Sequence, residues 1–210
     1  SLPQAIQNKV DECQAQLYVA ERDYFYQYTD DGQAWMFASS GTTLKLPLGS
    51  LALENISTAV AAILLSGLTV SQAAIAQGIQ QAKLQGRFEI RQIQGKTVIF
   101  DAGHNPHGVK FLLQQLRKYL EYNKQYTEVI SVFSMLADKD INSVVELLKD
   151  TVLTWKIAPL TVPRAAERAQ LYAALHGETV QHFESVQLAF KSALNETKNN
   201  QLILVCGSFH

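Results

Sequence analysis

An α/β fold with a mostly parallel sheet in its second half is what this sequence predicts. Strand-like and helical runs alternate from residue 86 to the end, as covered parallel sheets require. Two of the strand-like runs, Val129-Ile-Ser-Val-Phe133 and Leu202-Ile-Leu-Val-Cys206, are almost continuously apolar, as strands buried on both faces should be. A third, Thr97-Val-Ile-Phe-Asp101, stops at a carboxylate and is followed by Ala-Gly-His-Asn-Pro106-His107. That is a strand, a tight polar turn and a helix start, and open α/β sheets bind ligands at such carboxyl ends.

In chain order, Leu2 to Leu17 has helical spacing with polar faces. Asp23 to Tyr28 and Gln33 to Phe37 are short aromatic strands around the turn Thr29-Asp-Asp-Gly32. Ser39-Ser-Gly-Thr-Thr43 turns the chain again into Leu44 to Leu48, which completes a small antiparallel sheet. Leu53 to Ser66 is helical and so rich in Ala, Ile and Leu that it should be buried on more than one side. Gly67 ends it, and Thr69-Val-Ser71 starts another helix to Ala82. Gly86-Arg-Phe88 breaks the pattern and marks the expected boundary between domains of residues 1–85 and 86–210. Beyond it comes a hairpin, Phe88 to Ile93 and Thr97 to Asp101. Helices are expected at Pro106 to Glu121, Ile141 to Lys149, Ala165 to Leu175 and Ser185 to Glu196. Strands are expected at Glu128 to Phe133, Leu153 to Ala158, Thr179 to Phe183 and Gln201 to Cys206.

Bulk properties narrow the function. The 210 residues are 47% apolar and 18% charged, enough to bury a core. With 18 basic and 19 acidic residues the formal charge is -1, which argues against a nucleic-acid partner and, with no evident apolar patch, favours a monomer. No apolar run is long enough to cross a bilayer, and Ser1 to Val10 lacks the apolar core of a signal peptide. Two unrelated cysteines, Cys13 and Cys206, read as reduced and mostly buried thiols of a cytoplasmic protein. The chain opens without Met and stops just after a strand and turn, so both ends are expected to be cut from a longer protein.

Asp101 ends its strand with nothing apolar to pack against. Such a carboxylate can accept from ribose hydroxyls or cap the next helix. Pro106 suits the first helical position, which makes Asn105 the natural N-cap and leaves Asp101 for a ligand. His104 and His107 sit at metal-pair spacing, but Pro106 between them marks a helix start and no further ligands are near. A phosphate, a base or a carbonyl is the better partner for a histidine here, and no metal site is expected. Arg87, at the proposed hinge, can reach phosphates with its planar fork, or it can be an ordinary surface arginine. Leu136-Ala-Asp-Lys-Asp140, Arg164 after Pro163, and Ser208 after the last strand bring further polar groups to strand ends, with Asp140 the expected cap of its helix. Neither a GxxxxGK[ST] nor a GxGxxG loop occurs.

These stretches together resemble the folylpolyglutamate synthase/dihydrofolate synthase family of the Mur ligase superfamily. The matching residues are Leu53 to Ala62, Gly86-Arg-Phe88, Phe100 to His107, Met135 to Ile141, Ala158-Pro-Leu160 with Pro163-Arg164, and Val205 to His210. The resemblance implies the end of a central ATPase domain followed by a Rossmann-like C-terminal domain. It implies an ATP-dependent ligase that joins L-glutamate to dihydropteroate or folates through an acyl phosphate. By matching position, Asn55 would reach the adenine, Arg87 the phosphates and Asp101 the ribose. Arg87 and His104 would lie at the reacting centre, with Arg164 and Ser208 on the acceptor amino-acid side. The phosphate loop, the Mg2+ ligands and the pterin site would lie before Ser1, leaving the chain inactive alone. Another Mur-type amino-acid ligase and a non-catalytic nucleotide-binding module are the competing readings.

Overall fold

Residues 2–208 are described by a computed structural model. They fall into two compact units, Ser1–Lys83 and Leu84–His210.

In the first unit, α1 (Gln4–Cys13) precedes a three-stranded antiparallel meander of β1 (Tyr24–Tyr28), β2 (Ala34–Ser39) and β3 (Thr42–Pro47). Alternation decides which face is covered: Trp35, Phe37 and Ser39 of β2 are buried, and the residues between them are half-exposed. Two helices, α2 (Leu53–Leu65) and α3 (Gln72–Gln81), supply the covering side chains. Ile56, Val60, Ile75 and Ile79 meet Trp35, Phe37 and Leu46 in one cluster. The Ser71 hydroxyl accepts from Ala74 N–H and so fixes the start of α3.

Three expectations change here. The α2 helix buries a single stripe, Leu53, Ile56, Ser57, Val60 and Ala61, while Ala59 and Ala62 are exposed. Small apolar residues on the remaining face fooled the sequence reading, because alanine favours helix whether or not it is buried. The first helix ends at Cys13, where Gln14 takes a left-handed conformation, and not at Leu17; Cys13 is exposed.

The second unit contains β4 (Glu89–Ile93), β5 (Lys96–Asp101), α4 (Pro106–Tyr122), β6 (Glu128–Ser134), α5 (Ile141–Leu148), β7 (Val152–Ile157), α6 (Arg168–Ala174), β8 (Val180–His182), α7 (Val186–Glu196) and β9 (Gln201–Gly207). Its sheet runs β4-β5-β9-β6-β7-β8, with β4 antiparallel to β5 and every other pair parallel. From β6 the chain steps outward through β7 and β8, then returns to insert β9 between β5 and β6. Helices α4, α5 and α6 bury Leu112, Leu116, Val144, Leu148 and Leu171 against Ile99, Phe133, Trp155 and Leu204 on one face. The other face packs Ala189, Ala193 and Leu194 of α7 on Val98, Val132 and Ile203. Each fully buried leucine is worth roughly 1.5–3 kcal/mol, so the two layers hold the sheet rigid beneath its loops.

The parallel strands therefore end on one edge, as the sequence predicts, and the chain reverses its stepping direction beside β9. Helix α6 starts three residues later than expected. Ala166 N–H donates to Met135 O at 2.9 Å and Ala165 bridges Leu136, so these backbone groups serve the β6 loop instead of a first helical turn. Cys206 is fully enclosed beside Ser131, and burial pushes its thiol up to about 12.

Candidate functional site

The end of β5 is built around a carboxylate. Asp101 Oδ2 accepts from Phe88 N–H at 2.8 Å, and Oδ1 accepts from Gly103 N–H at 2.7 Å. Asp101 is only 4% exposed. Pattern alone leaves this side chain free for a ligand; in the structure its two oxygens already satisfy two backbone donors that would otherwise lack partners. Burial pushes the carboxyl above the ordinary carboxylate range, and the Phe88 and Gly103 amides and the Arg87 charge oppose that without cancelling it. Gly103 is needed for this approach, since a Cβ there would stand 2.9 Å from Asp101 Oδ1.

The Phe88 amide comes from an unusual stretch of backbone. Gly86 has φ +64° and Phe88 has φ +45°, the left-handed region that a phenylalanine enters at a cost of about 1–3 kcal/mol. Several contacts hold it there. Ala102 N–H donates to Gly86 O at 2.7 Å, and Gly86 N–H donates to Glu89 Oε2 at 2.9 Å. The Phe88 ring packs edge-on against Tyr119 of α4, with centroids 6.2 Å apart. Arg87 is thus carried on a backbone fixed at both neighbours, with its own side chain exposed. Arg22, Arg91, Arg164 and Arg168 each reach a carboxylate, whereas Arg87 and the exposed Arg117 of α4 have no such partner among the described residues. Sequence reasoning passed over Glu89; its signal was an acid directly after Gly-Arg-Phe with Arg91 two residues on.

His104 joins the same cluster. Its Nδ1 lies 2.9 Å from Ala102 O, so a proton on Nδ1 donates to that carbonyl and leaves Nε2 as the acceptor. Asn105 Oδ1 accepts from Gly108 N–H at 2.8 Å, making it the cap of α4 with Pro106 as the first helical residue. The cap question raised by the sequence is settled in favour of Asn105. His107 is exposed one residue after Pro106. Among the described residues no three His, Cys, Asp or Glu side chains gather to hold a metal ion.

A second group lies at the ends of β9, β6 and β7. Register pairs Asp101 with Cys206, which places this group on the strand beside the first. Ser208 N–H donates to Ser134 O at 2.9 Å, and its hydroxyl accepts from Leu136 N–H at 3.1 Å. Gly207 sits at φ +116° with Ser134 O where a Cβ would be, at 1.9 Å, so only glycine permits the crossing. Arg164 O accepts from Ala137 N–H at 2.8 Å, while its guanidinium reaches Asp138 at 3.4 Å in the open. Asp140 caps α5 through Ser143 N–H, as predicted, and Lys139 lies 3.8 Å from Asp138. Beside them is a cavity of about 380 Å³, lined by Pro159–Val162, Ser185–Gln187, Val205 and Ser208. Arg164 lies outside its lining.

Of the residues singled out in the sequence, Arg87, Asp101 and His104 are thus brought together through Phe88 and Ala102. Ser208 and Arg164 are both tied to the Leu136–Ala137 segment. Asn55 belongs to the first unit, exposed in the first turn of α2.

Residues 86–209 match the family described as Mur ligase, glutamate ligase domain. Over its full length the chain is similar to the dihydrofolate synthase/folylpolyglutamate synthase of Escherichia coli strain K12, at 39% identity and covering 48% of that protein. The solved structure of E. coli FolC in complex with ADP superposes with a TM-score of 0.80 at 37% identity, covering all of this chain and 49% of that one. A bifunctional folylpolyglutamate synthase/dihydrofolate synthase with Mn, AMPPNP and L-glutamate bound superposes with a TM-score of 0.81 at 33% identity, again covering 100% and 49%. The chain spans about half the length of the relatives it matches. No helix among the described residues is long and apolar enough to cross a membrane.

Proposed function

Because the chain belongs to the Mur ligase family through its glutamate ligase domain, we propose that it serves as the C-terminal half of an ATP-dependent ligase. That ligase joins L-glutamate to dihydropteroate, to folates, or to both, in the cytoplasm and as a monomer. Residues 1–85 are the end of the ATPase domain in this reading, and residues 86–210 are the Rossmann-like domain that follows it.

The observation that carries the reading is Arg87. A guanidinium on a fixed backbone, exposed and lacking a carboxylate partner among the described residues, is prepared for an anion. A triphosphate fits it by charge and by the paired geometry of guanidinium and phosphate oxygens. Asp101 takes the ribose with the lone pairs that Phe88 and Gly103 leave, since a carboxylate offers about four acceptor positions. Asn55 serves the adenine. ATP supplies the phosphoryl group that turns an unreactive carboxylate into an acyl phosphate, with Mg2+ as its accompanying ion. Arg87 balances negative charge as that group moves, which is how phosphoryl transfer is mostly catalysed. His104, oriented through Ala102 O, presents Nε2 near the phosphates as acceptor or, when protonated, as a donor. Ser208 and the cavity beside it receive the amino acid, and Arg164, outside the lining, adds positive charge for its carboxylates.

The test uses the natural protein that contains this chain. With ATP, Mg2+, L-glutamate and dihydropteroate, it should form the glutamyl amide and release ADP and phosphate stoichiometrically. Arg87→Ala should lower kcat at least about a hundredfold, the order expected when one transition-state charge contact is lost. ATP turnover without any glutamyl product would contradict the reading.

A further inference from the structure

We propose that Glu89 is a positioning residue for Arg87, holding the main chain on one side of it as Asp101 does on the other. The inference rests on the reading of Arg87 given above. Two amides flank Arg87, and each donates to a different carboxylate: Gly86 N–H to Glu89 Oε2 at 2.9 Å and Phe88 N–H to Asp101 Oδ2 at 2.8 Å. Gly86 enters the left-handed region freely, whereas Phe88 at φ +45° is strained, so the two bonds fix in place a turn that would otherwise relax at Phe88 and swing at Gly86.

Glu89 is itself fixed by a chain of contacts. Its Oε1 accepts from Arg91 Nε at 2.8 Å and Nη2 at 2.6 Å. Arg91 lies over the Phe100 ring, 5.6 Å from its centroid, and Phe100 stands opposite Glu89 in the hairpin register. Phe100 in turn packs on Phe190 of α7 at 5.9 Å. The Glu89 side chain therefore cannot swing away without breaking the Arg91 fork. This arrangement has a second consequence for charge. Glu89 is two residues from Arg87 and could neutralise it as a surface ion pair. Three of its roughly four acceptor positions are taken by Gly86 N–H and the Arg91 fork, so little of Glu89 is left to compete with a ligand for the Arg87 guanidinium. Arg91 acts as the decoy that makes this possible.

The test is a double-mutant cycle in the natural protein that contains this chain, reading kcat, KM for ATP and thermal midpoint. Glu89→Ala in the unaltered background should lower kcat about tenfold or more, a size seen when a reacting group is displaced by a fraction of an ångström. In the Arg87→Ala background the same change should cost less than about twofold, because nothing remains to be positioned. Glu89→Gln, which keeps an acceptor for Gly86 N–H, should restore most of the rate. Where Glu89→Ala does not fold, Glu89→Asp replaces it; the shorter side chain keeps the charge, withdraws the acceptor and should show the same coupling. Equal losses in both backgrounds, a silent Glu89→Ala, or a Gln variant as poor as Ala would each overturn the positioning role while leaving the Arg87 reading intact. A silent Arg87→Ala would instead overturn the Arg87 reading and the positioning role with it.

Discussion

Arg87 and Arg164 both stand near the carboxyl edge of the same sheet, and the fold treats them in opposite ways. Arg87 has its main chain pinned at both neighbours and its guanidinium unpaired among the described residues. Arg164 has its guanidinium paired with Asp138 at 3.4 Å, on side chains that are 66% and 47% exposed, while its main chain is held too, through Ala137 N–H to Arg164 O and Ala166 N–H to Met135 O, so the two differ in the head and not in the backbone. An exposed pair of this kind contributes little to stability and is easily exchanged for another partner. A pinned backbone with an open head is costly to build, and its structural return is the support that the Arg87 charge gives to the buried Asp101 carboxylate. On the proposed reading, that contrast separates a group prepared for a ligand from a surface arginine, and residue type alone does not reveal it.

The most drastic way to break the comparison is Gly207→Ala. A Cβ at 1.9 Å from Ser134 O forces β9 away from β6, and β9 lies between the strands that carry both loops. A loss of about 4 kcal/mol or more in unfolding free energy is expected, from overlap and left-handed strain together; denaturant titration measures it. Asp101→Ala should come next, at about 2–4 kcal/mol, because two backbone donors lose a buried acceptor at roughly 1–3 kcal/mol each. The same variant should loosen the Arg87 segment, seen as faster hydrogen exchange at Phe88 N–H, with little change at Ala137 N–H.

A pH series sharpens the contrast between the two carboxylates that flank Arg87. Asp101 is raised by burial, so the stability it contributes is complete below its unfolded value near 3.8 and is lost as pH rises through the raised folded value. Glu89 is lowered, first by the Gly86 amide and then by Arg91, so its contribution is present above 4.5 and is lost as pH falls through the lowered value. Stability relative to Asp101→Asn should therefore fall with rising pH, and stability relative to Glu89→Gln should fall with decreasing pH. Slopes of the same sign would contradict the assignment of causes. The smallest effect belongs to Arg164→Ala, which should change stability by about 0.5 kcal/mol or less and leave nucleotide affinity within about twofold while raising KM for glutamate.

Much of this was legible in the sequence because local signals and burial agreed. The apolar runs of β6 and β9, the Asn105–Pro106 helix start and the Asp140 cap all depend on neighbours a few residues away. What was missed depends on partners distant in sequence. The late start of α6 comes from Met135, some thirty residues earlier. The exposed alanines of α2 look apolar in any window, and only packing shows which stripe is covered. Asp101 was read as open because its partner, Phe88 N–H, lies across a hairpin, and no pattern announces a left-handed phenylalanine. The cluster of Arg87, Asp101 and His104 was readable as a set; the bracing by Glu89 was not.

The central claim is that the pinned Arg87 is there to receive a nucleotide phosphate. Titration of AMPPNP into the natural protein containing this chain, comparing Arg87→Ala with Arg164→Ala, addresses it most directly. Arg87→Ala should bind about tenfold or more weakly, consistent with the loss of one charge-assisted contact worth roughly 1.5–3 kcal/mol, and Arg164→Ala should bind nearly as the unaltered protein does. Equal affinities for Arg87→Ala and the unaltered protein would contradict that claim.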